Sequence, residues 1–301
     1  MNDKYLIVIA GPTASGKTAT AIKIAKALGT EIISADSRQF YKEIPIGTAA
    51  PTTSERSEVQ HHLIHNLNVE DKYDVADYEQ DVLSLLKKLF LSHDSVVITG
   101  GSGLFIDAVC KGLDSIPDIS DKNRDSVNEL YHKGGLTALQ NELQRLDPEY
   151  YNIVDKQNPR RLQRAIEVCY QTGLTYSSFR KNTNKTRDFK IIKIALLWER
   201  NELISRINKR VEMMINDGLV DEARQMYPKR HLNSLNTVGY KEMFQYFNGD
   251  VSLDEAIENI KTSTRQYAKR QMTWLRKNND YQWFSIDETD KMLDYIKSQQ
   301  E

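Results

Sequence analysis

The first pattern in the chain is an unbroken apolar run, Tyr5-Leu6-Ile7-Val8-Ile9-Ala10. Its length, β-branched centre and lack of polar alternation predict a strand buried on both faces, as in a parallel sheet. From Lys17 the pattern changes period: Ala21, Ile24, Ala25 and Leu28 share one helical face. A second strand is predicted over Glu31-Ile32-Ile33-Ser34-Ala35. A helix follows over about 75–91, with Val82, Leu85, Leu86 and Leu89 inward, and a third strand over Ser95-Val96-Val97-Ile98-Thr99. The Gly-rich turn Gly100-Gly101-Ser102-Gly103 closes that strand. Alternating strands and helices of this kind predict an α/β fold whose parallel sheet carries ligands at the carboxyl ends of its strands.

After Gly112 the texture becomes polar, charged and helical to about residue 182, with breaks at Gly134-Gly135, Pro148, Pro159 and Gly173. We read this stretch as an inserted helical domain, followed by an exposed polar loop over 181–186. Residues 189–197 suit a strand returning to the sheet, and the remainder is mainly helix, over about 200–216, 240–247 and 253–276. The expected organisation is a core over 1–113, a helical insertion over 114–186, and the rest of the core with C-terminal helices over 187–301.

The 301 residues suffice for one α/β domain and a smaller helical one. The net charge of -1 means that affinity for nucleic acid must come from local patches. Two cysteines, Cys110 and Cys169, stand far apart without a paired spacing, so neither a disulfide framework nor a thiolate zinc site is expected. No cationic leader and no run of membrane-spanning length is present, and a cytoplasmic protein that meets no membrane is expected.

The strongest chemical signal is Gly11-Pro12-Thr13-Ala14-Ser15-Gly16-Lys17-Thr18, between the first strand and the first helix. Such a loop aims backbone N–H groups at phosphate oxygens, its lysine adds a point charge, and its last hydroxyl binds phosphate or the accompanying magnesium. The fold expected is therefore a P-loop NTPase-like core, and the ligand a diphosphate or nucleotide. Asp36, just past the second strand, is placed to coordinate magnesium, to accept a proton, or simply to cap a turn. Ser102 offers its hydroxyl to a ligand or serves as an N-cap for the next helix. Arg206 and Arg210 lie four apart on one helix, either as a solvated face or with an arginine reaching a leaving diphosphate.

Two basic clusters suggest a polyanion. One is Pro159-Arg160-Arg161-Leu162-Gln163-Arg164, opening a helix with an apolar stripe of Leu162, Ile166 and Cys169. The other runs over 261–277 without an acidic residue, where Lys261, Arg265, Lys269 and Arg276 share one broad face. Tyr267, Met272, Trp274 and Leu275 in that segment read as packing residues. His61-His62-Leu63-Ile64-His65 is not read as a metal site, because strand alternation parts His61 from His62 and no partner ligand has a recognisable spacing.

Together these motifs resemble the bacterial tRNA dimethylallyltransferase family. The resemblance rests on GPTASGKT at 11–18, DSRQFY at 36–41, IGTAAPT at 46–52, HHLI at 61–64, GGSGLF at 100–105, NPRRLQRAIEV at 158–168, VGYKE at 238–242 and TRQYAKRQMTWLR at 264–276. It implies transfer of a dimethylallyl group from dimethylallyl diphosphate to N6 of adenine 37 in the tRNA anticodon stem-loop, with magnesium assisting departure of the diphosphate and the base flipped into a channel. It implies Asp36 as general base, Ser37, Arg38 and Gln39 along the adenine, Ser102 and Lys17 near the leaving group, and Arg210 on the diphosphate. Arg124, Arg160, Arg161, Leu162, Gln163 and Arg164 are implied as tRNA contacts and Thr18 as a magnesium ligand; a monomer is expected. Ser102 replaces a threonine common in the family, Ala50 a lysine and His65 an aspartate. The C-terminal zinc finger of eukaryotic relatives is not expected. Rival readings are a small-molecule P-loop kinase, a prenyltransferase acting on free AMP, ADP or ATP, and an RNA-binding protein without catalysis.

Overall fold

A computed structural model describes residues 3–181 and 184–301. Asn182 and Thr183, part of the loop expected over 181–186, lie outside the described residues. The chain divides into two compact units, one formed by the residues up to Cys110 and from Arg187 onward, the other by Lys111–Thr186.

In the larger unit β1 (Tyr5–Ala10) is followed by α1 (Lys17–Leu28), β2 (Ile32–Ser34), α2 (Thr53–Glu58), β3 (His61–His62), α3 (Val75–Leu89), β4 (Ser95–Gly100) and α4 (Gly103–Lys111). The second unit holds α5 (Asp121–Leu146), α6 (Pro148–Ile153), α7 (Pro159–Thr172) and α8 (Tyr176–Phe179). The chain then returns through β5 (Lys190–Leu197), α9 (Arg200–Asn216), α10 (Leu219–Met226), α11 (Tyr240–Asn248), α12 (Leu253–Lys277), β6 (Gln282–Ser285) and α13 (Thr289–Ser298). The six strands form one sheet in the order β3-β2-β4-β1-β5-β6, and all its pairings are parallel.

Burial explains the order. β1 is buried throughout and lies between β4 and β5, where each face needs an apolar cover. Alternation sends Leu6, Val8 and Ala10 toward Tyr78, Val82 and Leu86 of α3 and Ile106 of α4. Tyr5, Ile7 and Ile9 go the other way, against Ala21, Ile24 and Ala25 of α1 and Met292 and Ile296 of α13. Because the strands run parallel, the segments after Ala10, Ser34 and Gly100 emerge at one edge. A separate apolar cluster joins α9 to α12 with Tyr41, Ile44 and Val69 from the loops beyond that edge.

The smaller unit has its own core of Val127, Leu139, Leu143, Tyr150, Leu162, Ala165 and Ile166. Its helices break where the sequence breaks. Gly135 departs from helical geometry inside α5 (φ 62°, ψ −155°), Pro148 and Pro159 open α6 and α7, and Gly173 ends α7 in the left-handed region. Asn158 caps α7 by accepting from the Arg161 N–H.

Candidate active site at the sheet edge

Gly16, at φ 83°, turns the chain from loop to helix in a conformation that only glycine adopts without strain. As the N-cap of α1 it supplies no side-chain acceptor, so the first-turn N–H groups and the positive end of the helix dipole remain for an anion. Ala14 is also left-handed (φ 65°), which curls the loop further into an anion-binding concavity. The Ser15 hydroxyl is fully buried in this loop without a protein partner. The Lys17 ammonium donates to the Pro12 carbonyl at 2.7 Å, folded back over the loop it serves.

Two structural clamps hold the loop. Arg206 donates through Nε to the Ala14 carbonyl (2.8 Å) and stacks its guanidinium over Trp198, whose indole N–H donates to the Ser15 carbonyl (2.9 Å). From α12 the buried Gln271 accepts the Thr13 N–H (2.8 Å) and donates to the Gly101 carbonyl (2.9 Å), tying the phosphate loop to the turn after β4. Gln271→Leu leaves both half-buried backbone groups without their protein partner. It should cost about 1–3 kcal/mol of stability and weaken inorganic pyrophosphate binding, both readable by denaturant titration with and without pyrophosphate.

Asp36 accepts the Arg38 N–H at 2.9 Å. Burial pushes its carboxyl above the ordinary value, opposed by that hydrogen bond and by the Lys17 charge. Burial likewise lowers Lys17 to about 7, with Arg210 adding repulsion and Asp36 opposing. Arg210 reaches the Thr13 hydroxyl (3.3 Å) and is also shifted down, first by burial and then by Arg206. A carboxylate, an ammonium and a guanidinium, each half-buried, therefore converge on one place, which suits a ligand that brings its own negative charge. Ser102 stands at the start of α4, where its carbonyl accepts from Phe105 and Ile106, while its hydroxyl turns to the strand-end loop and accepts the Ser37 N–H at 3.1 Å. Tyr267 from α12 pairs with Ser102 and is pushed up to about 12 by burial and by Asp36.

Two cavities open here, of about 550 and 310 Å³. The larger is walled by the loop from Thr13 to Ala19, by Gln39, and by Pro45, Ile46 and Met213. The smaller carries Ser37, Arg38, Lys241 and Arg270. Thr13, Asp36, Arg210 and Tyr267 line both, so the Asp36 carboxylate stands where a phosphate chamber meets a cationic cleft.

Several expectations are corrected. Tyr267, read as packing, lines the junction of the two cavities. The basic face of α12 is partly internal: Lys261 is paired with Glu212 and Glu258 (3.0 and 2.9 Å), and Arg265 donates to Asn208 (2.9 Å). Those two cations fasten α12 to α9, while Lys269 and Arg276 stay exposed. Leu162, expected at an RNA surface, is fully buried in the core of the smaller unit, as its place in the apolar stripe requires. Gln163 donates to Asn128 of α5 (3.2 Å). Arg160 and Arg161 are exposed at the start of α7 and form no ion pair among the described residues. Arg164 faces Glu167 at 3.8 Å, and Arg124 lies near the same carboxylate besides pairing with Asp121 (3.6 Å). His62 turns to Glu31 (2.5 Å), whereas His61 and His65 line the larger cavity. Sequence reasoning missed Gln271, Lys241, Arg270 and the structural use of Arg206; three of the four sit in motifs or clusters it had marked for other reasons.

The chain has recognisable relatives among known proteins. Residues 39–278 match a family described as IPP transferase. A tRNA dimethylallyltransferase 1 of Phocaeicola vulgatus is 50% identical over 97% of this chain and 98% of its own, and a tRNA dimethylallyltransferase of Christiangramia forsetii is 49% identical over 98% of each. Among solved structures, the tRNA isopentenylpyrophosphate transferase of Bacillus halodurans superposes with a TM-score of 0.73 at 33% identity, covering 99% of this chain and 97% of that one. A eukaryotic dimethylallyltransferase acting on tRNA gives 0.79 at 25% identity, over 94% and 74%. No helix among the described residues is long and apolar enough to cross a membrane.

Proposed function

The chain belongs to the IPP transferase family, and on that premise we propose how its residues transfer a dimethylallyl group to tRNA. It is a transferase acting on N6 of adenine 37, and the donor we assign to the larger cavity is dimethylallyl diphosphate. The observation that carries this reading is the shared wall of the two cavities, which lets Asp36 face both a bound diphosphate ester and a base entering from the cationic cleft. The N–H groups of the phosphate loop, Ser15 Oγ, Lys17 and Arg210 hold the diphosphate, and Ile46, Pro45 and Met213 offer apolar surface to the five-carbon chain.

N6 attacks the allylic C1, the C1–O bond breaks, and its electron pair leaves on the diphosphate. Nitrogen becomes acidic as the N–C bond forms, and Asp36 takes its proton. Lys17 and Arg210 lie where negative charge grows on the departing oxygen. Magnesium fits this set: Thr18 lines the chamber, and its hydroxyl would hold the ion beside a bound diphosphate. No group of three histidine, cysteine or carboxylate side chains among the described residues holds an ion without such help. When bound, magnesium would neutralise charge on the leaving group.

The test is transfer of labelled dimethylallyl from its diphosphate to unmodified tRNA, with AMP, ADP and ATP run as rival acceptors. Label in tRNA that vanishes when adenine 37 is replaced supports the reading; label in free nucleotide alone moves the assignment to small-molecule prenyl transfer. Arg160 and Arg161 are the tRNA-backbone contacts we assign to α7. Replacing both with alanine should make the dependence of log affinity on log salt shallower by about 1–2 units, with inorganic pyrophosphate binding unchanged. An unchanged slope removes them from the interface.

A further inference from the structure

Glu222 of α10 is 9% exposed, yet its carboxylate has three donors around it. Oε2 accepts the Ile46 N–H at 2.9 Å; Oε1 accepts the Gly47 N–H at 2.8 Å and the Tyr240 hydroxyl at 2.5 Å. Tyr240 is itself fully buried. Gly47 packs closely against Tyr240: a Cβ there would stand 2.5 Å from its ring edge and hydroxyl, so only glycine lets the backbone reach the carboxylate. These contacts pin a loop that is otherwise irregular and lines both cavities with Thr48 and Ala49.

The pinned loop in turn decides what Gln39 can offer. The Gln39 Nε2 donates to the carbonyls of Thr48 and Ala49 (3.3 and 3.1 Å), which uses both of its hydrogens. Its Oε1 accepts the Ser34 hydroxyl at 3.1 Å and keeps a second lone pair. Two carbonyls on one side and a hydroxyl on the other settle the orientation of the amide. Gln39 lines the larger cavity together with Asp36, where N6 must enter to meet the donor's allylic carbon, so toward that amine it can accept but has no hydrogen to donate. An adenine brings a donor at N6; a base with a carbonyl at that position brings a second acceptor and meets repulsion.

We propose that Glu222 is a positioning residue for base selection: by holding the loop at Ile46 and Gly47, it locks Gln39 into an acceptor that matches an exocyclic amine and rejects a carbonyl. The inference rests on the tRNA-modifying reading above and adds to it a device remote from the reacting atoms. A carboxylate is required because a neutral amide has an oxygen on one side only: with that oxygen kept on Gly47 and Tyr240, its NH2 would be turned on the Ile46 N–H.

The experiment compares binding of two anticodon stem-loops, one with adenine and one with hypoxanthine beside the anticodon, to the full chain carrying Glu222→Gln. The wild-type protein should prefer adenine. Glu222→Gln should reduce that preference about tenfold while inorganic pyrophosphate binds as before, since the phosphate loop is held by Arg206 and Gln271 instead. Tyr240→Phe removes one of the three donors and should reduce the preference less, in the same direction; if Glu222→Gln does not fold, Tyr240→Phe decides alone. Unchanged preference in the folded variant, with only a lower melting temperature, overturns the proposal and leaves Glu222 a structural residue. A wild-type protein that binds both stem-loops equally overturns it too. Failure of the wild type to modify tRNA at all strikes the underlying reading, and the transfer assay registers that separately.

Discussion

Asp36→Asn should lower kcat by about 10²- to 10⁴-fold while tRNA and pyrophosphate affinities change little. The asparagine oxygen can still accept the Arg38 N–H, so the turn after β2 is kept and only proton acceptance is lost. Two further readouts separate this role from mere capping. First, burial holds the Asp36 carboxyl above its ordinary value, so the ionised form disappears, as pH falls, sooner than for a solvated aspartate. The acid limb of the wild-type kcat/KM profile should stand correspondingly high, and the residual activity of Asp36→Asn should lack it. Second, a folded pKa raised above the unfolded one means that ionised Asp36 destabilises the ligand-free protein, a cost absent below the unfolded pKa and complete above the folded one. Asp36→Asn should therefore melt higher than wild type at neutral pH, and the difference should close in acid. Near-wild-type kcat in the variant would remove Asp36 as the base.

The elements legible in the sequence are those whose pattern comes from their own burial. β1, α3 and β4 face apolar layers along their whole length, and a reading of apolar periodicity finds them. β3, only His61 and His62, exists because β2 offers it a free edge, and two polar residues carry no period. β6 lies at the opposite edge of the sheet with Gln282 exposed and the rest half-covered, so its apolar content is diluted. The basic segment of α12 shows the same limit in charge. Lys261 and Arg265 look like a phosphate-tracking face until Glu212 and Asn208 of α9 are placed beside them.

The site divides in a similar way. The phosphate loop and Asp36 are legible because their function is local: one strand end, one turn and one helix start suffice. Tyr267 and Gln271 lie on α12, far along the chain from the loops they touch, and helical spacing says nothing of which loop a helix end will meet. Glu222 is harder still. In sequence it is one more acid in a charged helix, and only the packing of α10 and α11 against the loop at 45–52 gives its carboxylate three donors.

Lys17→Ala should lower kcat/KM for the diphosphate donor by about 10²- to 10³-fold and change the shape of its pH dependence. Burial and Arg210 hold the wild-type ammonium near 7 in the absence of ligand. The charged form that a diphosphate needs is thus complete below that pH and drains away above it. The wild-type kcat/KM profile, which reports the free enzyme, should show an alkaline limb near 7, and Lys17→Ala should abolish the limb along with most of the activity. In the complex two phosphoryl groups face the ammonium and raise its pKa, so the same limb in kcat should move to higher pH. Stability supplies the independent sign: between a folded pKa near 7 and the ordinary value of 10.5 the unfolded chain binds more protons, so the ligand-free wild type gains stability as pH rises through that window. Lys17→Ala removes that gain, and pyrophosphate should stabilise the wild type far more than the variant. An alkaline limb that persists in Lys17→Ala would assign it to another group. The fold therefore holds an ammonium, a guanidinium and a carboxylate together at a cost in stability, and the anionic donor is the ligand whose charge offsets it.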